Sequence, residues 1–380
     1  MKWWYVLALF SFSTGISLAV EIVEYKDNAG QKRIILQNKW LASEFLPEAS
    51  ALFSGLQYLP EKRPLINPVK TSSSTDDLLP SALETNSCGG RELLWGKKHF
   101  ANVLFPVSKR EATQESGHIV FSNRYLLNEN LEATKKVTLL SDSLYVRICF
   151  TLTNHEKQAQ TLRFWTNFIP QLSPDSSLDI VLLPACGGVR QLKERGVTFF
   201  EHDCIYEDKE FSNKEVFVAP AQPWMGRRSD RLPGVLVMCT SPVAMGDSGF
   251  LYSYKRGPHS PTHTMEMVFA PVEIKSGASA DFIVDYLFFP HLNSLSGICG
   301  KIGFDVQDQQ LLLEAAAECK GGFLELEFRD AAAAELSRTE LQVSDLQTGI
   351  LQRYSFRVPL GASHIAGSFD DGRVFTLLLK

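Results

Sequence analysis

The sequence has no concentration of positive charge. Its 38 Lys and Arg are outnumbered by 43 Asp and Glu, for a formal net charge of -5, and the cations are scattered singly or in short pairs such as Lys135-Lys136. A nucleic-acid surface needs a basic patch or stripe, so no nucleic-acid partner is expected. Long apolar runs are missing after the first residues. None approaches the ~20 residues that cross a bilayer, and no membrane span is expected in the mature chain. Convincing helical periodicity is nearly absent as well. The seven cysteines are Cys88, Cys149, Cys186, Cys204, Cys239, Cys299 and Cys319. No two stand at C-x-x-C spacing and none has a His at a ligand offset, so no metal site is expected, and no cofactor. The odd count leaves at least one thiol unpaired under oxidising conditions. Cys149 in YVRICFTL and Cys239 in GVLVMCT read as small buried hydrophobes; Cys186 and Cys204 flank one candidate hairpin, and the sequence leaves their pairing open.

At 380 residues the chain exceeds the size at which one core stops growing, which predicts a large domain plus a small one. An apolar content of 44% with 21% charged residues is that of a globular protein rather than a disordered one. The opening MKWWYVLALFSFSTGISLAVEI has an early Lys2, an apolar run from Trp3 to about Phe12, and small residues up to Ala19. These features predict a secretory signal peptide over 1–19, cut after Ala19. Ser11, Ser13, Thr14 and Gly15 interrupt a run already too short to anchor a membrane. The expected location is secreted or periplasmic.

From residue 20 onward, short runs of Val, Ile, Phe, Tyr and Leu alternate with polar residues between Gly, Pro, Asn, Asp and Ser. Examples are RIILQN (33–38), ASEFLPE (42–48), KKVTLLS (135–141), LYVRICFTLTN (144–154), TLRFWTNFI (161–169), GVLVMCT (234–240), TMEMVFAPVEI (264–274) and ADFIVDYLFF (280–289). This is strand grammar, and an antiparallel all-β body follows. In TLRFWTNFI a period of two puts Leu162, Phe164, Thr166 and Phe168 on a core face and Arg163, Trp165, Asn167 and Ile169 on the other. A face mixing an aromatic, an amide and a cation suits the ligand side of a curved sheet. Residues 154–160 read as a polar turn between two long strands. Residues 69–90 lack strand alternation, are rich in Ser and Thr, and predict a long surface excursion. After a change near 290–301, runs such as IGFDV, QLLLEAA, GFLELEF, TELQVSDL, LQRYSFRV and RVFTLLL predict a small immunoglobulin-like β-sandwich over 300–380, with DAAAAEL (330–336) as one helical turn. MGDSG (245–249) reads as a tight turn, because no base and orienter accompany its Ser in the pattern a hydrolytic triad needs.

The segment RIILQNKWLASEFLPEASALFSGLQYL (33–59) resembles the opening hairpin of galactose mutarotase-like proteins: a strand ending in Asn, a second ending Leu-Pro-Glu, then a turn into a third. ATKKVTLLSDSLYVRICFTLTNHEKQAQTLRFWTNFIPQL is similar to that fold's central pair of long strands around a short turn. TMEMVFAPVEIKSGASADFIVDYLFF is similar to its closing strands, with Ser-Gly where the family often has Pro-Gly. The resemblance covers most of 20–290 and implies a large antiparallel supersandwich whose concave face binds sugars. In the family a His and a Glu serve as acid and base at the anomeric centre and an Arg holds the sugar. The resemblance places Glu266, in HTMEMVFAP, on the strand of the catalytic Glu. Two positions depart from it. The Gly-Gly-Arg that commonly follows Leu-Pro-Glu is replaced by Ala49, Ser50, Ala51 and Leu52, and the His that often follows the Trp is Asn167, an amide that cannot shuttle a proton.

Further candidates come from the residues. Trp95 and His99, in CGGRELLWGKKHF, follow the Ser-rich excursion, where Trp95 is placed either to stack on a sugar or to pack beneath the loop. Trp224 and Arg227, in APAQPWMGRRSD, suit a pocket rim able to grip a carboxylate, or a solvated charge pair with Arg228. His259 and His263 approach Glu266, but their spacing matches no helical metal motif; His263 is the candidate acid in place of the missing His. These readings predict a carbohydrate-binding protein without mutarotase catalysis, its sugar or polysaccharide lined by Trp95, His99, Trp165, Asn167, Trp224 and Arg227. The alternatives are a sugar epimerase or other carbohydrate-active enzyme using Glu266 with His263 or His99, and a structural or interaction protein with a degenerate pocket.

Overall fold

The structure, a computed structural model, describes residues 20–28, 30–66, 89–94, 105–126, 131–170, 180–182, 205–207, 215–218, 222–232, 234–254, 264–307, 309–369 and 371–378. Its strands are numbered β1 to β29 in chain order. In the first sheet the spatial order is β1 (Glu21–Lys26), β2 (Lys32–Gln37), β3 (Leu41–Leu46), β4 (Leu52–Tyr58), β6 (Gly90–Leu94), β12 (Phe164–Phe168), β19 (Met265–Val268), β18 (Phe250–Tyr254) and β15 (Glu215–Val218), with β5 (Arg63–Pro64) paired to β4. The second runs β14 (Ile205–Glu207), β13 (Ile180–Leu182), β16 (Trp224–Arg228), β17 (Val235–Cys239), β21 (Ser279–Phe289), β10 (Tyr145–Asn154), β9 (Leu131–Leu140), β8 (Ser116–Leu126) and β7 (Val107–Ala112). β11 (Gln160–Leu162) pairs with β20 (Val272–Ile274) apart from both, and one short helix, α1 (Pro242–Met245), is capped by Ser241.

The period-two pattern sets this architecture. β9 and β10 alternate buried and accessible positions, and β10 is the spine of the second sheet, antiparallel to β9 on one side and β21 on the other. Its inward aromatics meet those of the first sheet. Phe164 lies 5.2 Å from Phe150 and 4.6 Å from Phe282, ring centre to ring centre, and Phe168 lies 4.6 Å from Tyr286. Each such burial contributes ~1.5–3 kcal/mol. One ion pair crosses the same interior: Lys135 of β9 donates to Glu92 of β6 and to the Ala51 carbonyl at 2.9 Å. Burial outweighs the pairing at both groups, pushing the Glu92 carboxyl up and the Lys135 ammonium down.

Two sequence expectations need correction and a third gains detail. Residues 154–160 link two strands as expected, and because β10 and β12 belong to different sheets the chain here crosses from one to the other. Asn154, fully buried, pins the crossing: its Nδ2 donates to the carbonyls of Gln158 at 2.8 Å and Ile274 at 2.9 Å, and its Oδ1 accepts from the Glu156 amide. TLRFWTNFI breaks at Arg163 and TMEMVFAPVEI breaks after Val268, since β11 and β20 leave the large sheets to pair together. DAAAAEL is a turn and not a helix: Asp330 Oδ1 accepts from the amides of Ala332 and Ala334, and Ala333 takes a φ of 64°, which a helix does not tolerate.

The C-terminal strands form two sheets, β22 (Gly297–Cys299), β23 (Ile302–Gln307), β24 (Gln310–Ala315), β27 (Leu351–Ser355) and β26 (Glu335–Val343), β25 (Gly322–Arg329), β28 (His364–Phe369), β29 (Val374–Leu378). They enclose a second core around Phe304, Leu313, Leu326 and Phe328. β27 returns beside β24 and β28 beside β25, the alternation between sheets of an immunoglobulin-like sandwich. Leu312 and Ala316 reach into the first core, so the two sandwiches are packed directly together. Lys301 and Arg147 both bind Asp285 of β21. Burial opposes ionisation of that carboxyl, but the two cations more than offset it and hold Asp285 below the usual range.

Candidate functional site

β12 lies between β6 and β19 in the first sheet, and register fixes which side chains share a row. Arg91, Asn167 and Glu266 are directly opposite one another; Leu93, Trp165 and Val268 form a second row on the same face, and Val268 continues to Phe250. The row between them, Glu92, Thr166 and Met267, points into the sandwich, where Thr166 Oγ1 lies 3.1 Å from the Tyr286 hydroxyl. Alternation therefore turns Trp165, Asn167 and Glu266 to the outer face, away from the second sheet. The core face of TLRFWTNFI is as the pattern predicts, with Leu162, Phe164, Thr166 and Phe168 all buried; Ile169, expected on the other face, is buried too.

Glu266 anchors the outer cluster. It is 2% exposed, and both carboxyl oxygens accept hydrogen bonds: Oε2 from Trp165 Nε1 at 2.6 Å and Oε1 from Thr264 Oγ1 at 2.5 Å. The Asn167 amide donates as well. Burial pushes the carboxyl up to about 8, outweighing the downward pull of Thr264, Trp165, Asn167 and Arg91. Near neutrality Glu266 is largely protonated. With its N–H turned to Glu266, Asn167 keeps a buried Oδ1 that has no hydrogen-bond partner among the described residues. An orphan acceptor of this kind costs ~1–3 kcal/mol until a donor reaches it.

Arg91 is the member of this row that sequence patterning did not single out. A Gly-Gly-Arg is missing after Leu-Pro-Glu, where Ser50 and Ala51 hold φ values of 57° and 49° without glycine. The same tripeptide stands at 89–91, on the neighbouring strand. Gly89 takes a φ of 71°, and a Cβ on Gly90 would sit 2.9 Å from Phe168 Cδ2. Both glycines are thus needed where they are, and they deliver Arg91 beside Asn167.

Two other candidates, Trp224 and Arg227, are not brought to this face. Trp224 belongs to β16 of the second sheet, 1% exposed within the interior cluster, with Nε1 donating to Gln222 Oε1 at 3.0 Å. Arg227, on the same strand, is fully buried. PWMGRR has loop-like Pro and Gly but pairs with both β17 and β13; Gly226 serves the packing, since a Cβ there would lie 3.1 Å from Leu182 Cβ. The expected rim is an interior strand. Trp95, His99, His259 and His263 lie outside the described residues. Among the described histidines, His118 faces Glu111, His155 faces Glu132 and His364 faces Ser363. Among the described residues no group of three or more His, Cys, Asp or Glu is placed to hold a metal ion, and no helix is long and apolar enough to cross a membrane.

No protein-family model matches the chain, and no curated protein sequence matches it. Solved structures do. A galactose mutarotase-like protein from Clostridium acetobutylicum superposes with a TM-score of 0.54 at 10% identity, covering 71% of this chain and 98% of that one. A TPR-domain containing protein from Parabacteroides distasonis gives a TM-score of 0.54 at 10% identity over 73% of this chain and 49% of its own. A Synechocystis protein gives 0.50 at 8% identity over 73% and 99%. At these identities the likeness is one of fold, and the chain has the all-β galactose mutarotase-like sandwich fold.

Proposed function

We propose that this protein binds a carbohydrate on the outer face of its first sheet, with Trp165, Asn167 and Arg91 as the contacting side chains and Glu266 positioning them. The observation that carries the reading is the buried Asn167 Oδ1, an acceptor without a donor, beside a half-buried indole whose N–H is fixed by Glu266. Sugars supply what that arrangement lacks: hydroxyl donors around an apolar ring face. The fold shared with a galactose mutarotase-like protein adds support. Binding is favoured over catalysis because both Glu266 oxygens are already engaged by the protein, and the residue opposite it is an amide that moves no proton.

A second reading, an epimerase or other carbohydrate-active enzyme, is favoured by one property: an acid brought to about 8 is poised to exchange protons near neutral pH. In that reading His263 or His99 completes the pair with Glu266. A secreted or periplasmic location, proposed from the signal-like sequence of residues 1–19, is compatible with both readings.

The test is a glycan array on the full chain and on Asn167→Ala and Glu266→Gln. Binding predicts retention of a defined sugar set, weakened roughly tenfold or more by Asn167→Ala, as loss of a ligand hydrogen bond implies. Unaltered retention by both variants contradicts the placement. Turnover of a retained sugar, abolished by Glu266→Gln, decides for the enzyme.

A further inference from the structure

Arg163 stands where β11 gives way to β12, and among the described residues it has no ion pair of the kind that holds Arg33 and Lys135. Arg33 is bound by Asp27 and Glu44, and Lys135, reaching in from the second sheet, by Glu92. Its guanidinium carbon lies 5.8 Å from the centre of the Phe250 ring, and its Nε is buried without a hydrogen-bond partner among the described residues. Phe250 lies in the row of Trp165 and Val268, so the guanidinium is on the outer face. A half-buried cation with no counter-charge among the described residues is costly unless something supplies the anion.

A cation this near an aromatic ring is within reach of its quadrupole, and a guanidinium can still offer its N–H groups to a bidentate acceptor. Arg91 adds a second cation on the row of Asn167, while Glu266, held mainly protonated near neutrality, adds little negative charge. Arg163 is four strand steps from Asn167, ~13 Å along an extended chain, a length that suits two sugar rings better than one.

We infer that the ligand is an anionic glycan of at least two rings, whose carboxylate or sulfate ester is taken by Arg163 beside Phe250 while a neighbouring ring rests on Trp165. This rests on the sugar-binding reading and narrows it to a ligand class. A carboxylate and a sulfate ester each present a pair of oxygens that a guanidinium can hold bidentately, and the experiment separates them.

The experiment is calorimetric titration of the full chain with matched probes on one backbone: a neutral galacto-oligosaccharide, an oligogalacturonate and a sulfated galacto-oligosaccharide. The inference predicts that at least one anionic probe binds tenfold or more tightly than the neutral one, with an advantage that shrinks as salt is raised. Arg163→Gln is expected to bring the anionic-to-neutral ratio close to one, and Arg163→Lys to retain part of it. Thermal unfolding of both variants checks that they fold; if Arg163→Gln does not, the partial loss in Arg163→Lys decides. Equal binding of neutral and anionic probes, or an anionic preference that survives both substitutions, overturns the inference and leaves sugar binding standing. Absence of binding to all three overturns both.

Discussion

Glu266 shows how far burial can move one group. Three donors and a nearby guanidinium all favour its ionised form, and desolvation still wins. The sign of each contribution is testable. Trp165→Phe keeps the ring and removes the indole donor, so the Glu266 carboxyl should titrate above its present value of about 8, by about one pH unit for one hydrogen bond. Carbon-13 NMR of the carboxyl checks this, and a downward move would contradict it. At this scale the sequence was informative where a residue sits on a strand with unambiguous alternation: Trp165 and Asn167 share a face as the period of two requires, while Glu266 joins them through the register of β12 with β19. It was not informative at Trp224, because a Pro- and Gly-bearing segment looks the same whether it is a loop or an interior strand paired on both sides.

The elements depend on a few polar anchors in an apolar interior. Asn154 satisfies two carbonyls and one amide at the crossing between the sheets. Asn154→Ala should destabilise the protein by about 2–3 kcal/mol, since three hydrogen bonds are lost and buried carbonyls are left unpaired; urea unfolding measures it. The Lys135–Glu92 pair between β9 and β6 makes a different prediction. Lys135→Met alone strands a buried carboxyl and should cost ~3–5 kcal/mol, while Lys135→Met with Glu92→Leu should recover most of that loss. A double-mutant cycle in urea reads the coupling, and additive effects would show that the pair does not act as a unit. Strand existence was legible in alternation alone. Sheet membership was not: whether 154–160 closes a hairpin or crosses between sheets depends on long-range partners such as Ile274, which no local pattern encodes.

Across the whole molecule, the two sandwiches meet at Glu314. Fully buried on β24, its Oε2 accepts from the amides of His291 and Leu292 at 3.1 Å each, and its Oε1 has no partner among the described residues. Burial raises its carboxyl from 4.5 to about 8 despite those two amides. The folded state therefore holds this proton more tightly than the unfolded chain does. Stability from this group is fully present below about 4.5 and is lost as pH rises through about 8, at ~1.4 kcal/mol per pH unit inside that window. Glu314→Gln should flatten that decline, seen as a smaller fall in denaturant midpoint between the two pH values; an unchanged slope would contradict it. The all-β body and the split into a large and a small sandwich were readable from run lengths and turn residues. The junction was not, because Glu314 in QLLLEAA looks like any polar position of an alternating strand.

The account turns on the outer face of the first sheet as the place where sugar binds. Its most direct test is the indole N–H resonance of Trp165, assigned by its disappearance in Trp165→Phe and followed while a retained glycan is titrated into the full chain. The account predicts that this resonance shifts in step with occupancy, because ligand contact on the ring must perturb an N–H held at 2.6 Å from Glu266. A glycan that saturates the protein while the Trp165 indole stays unmoved would contradict it.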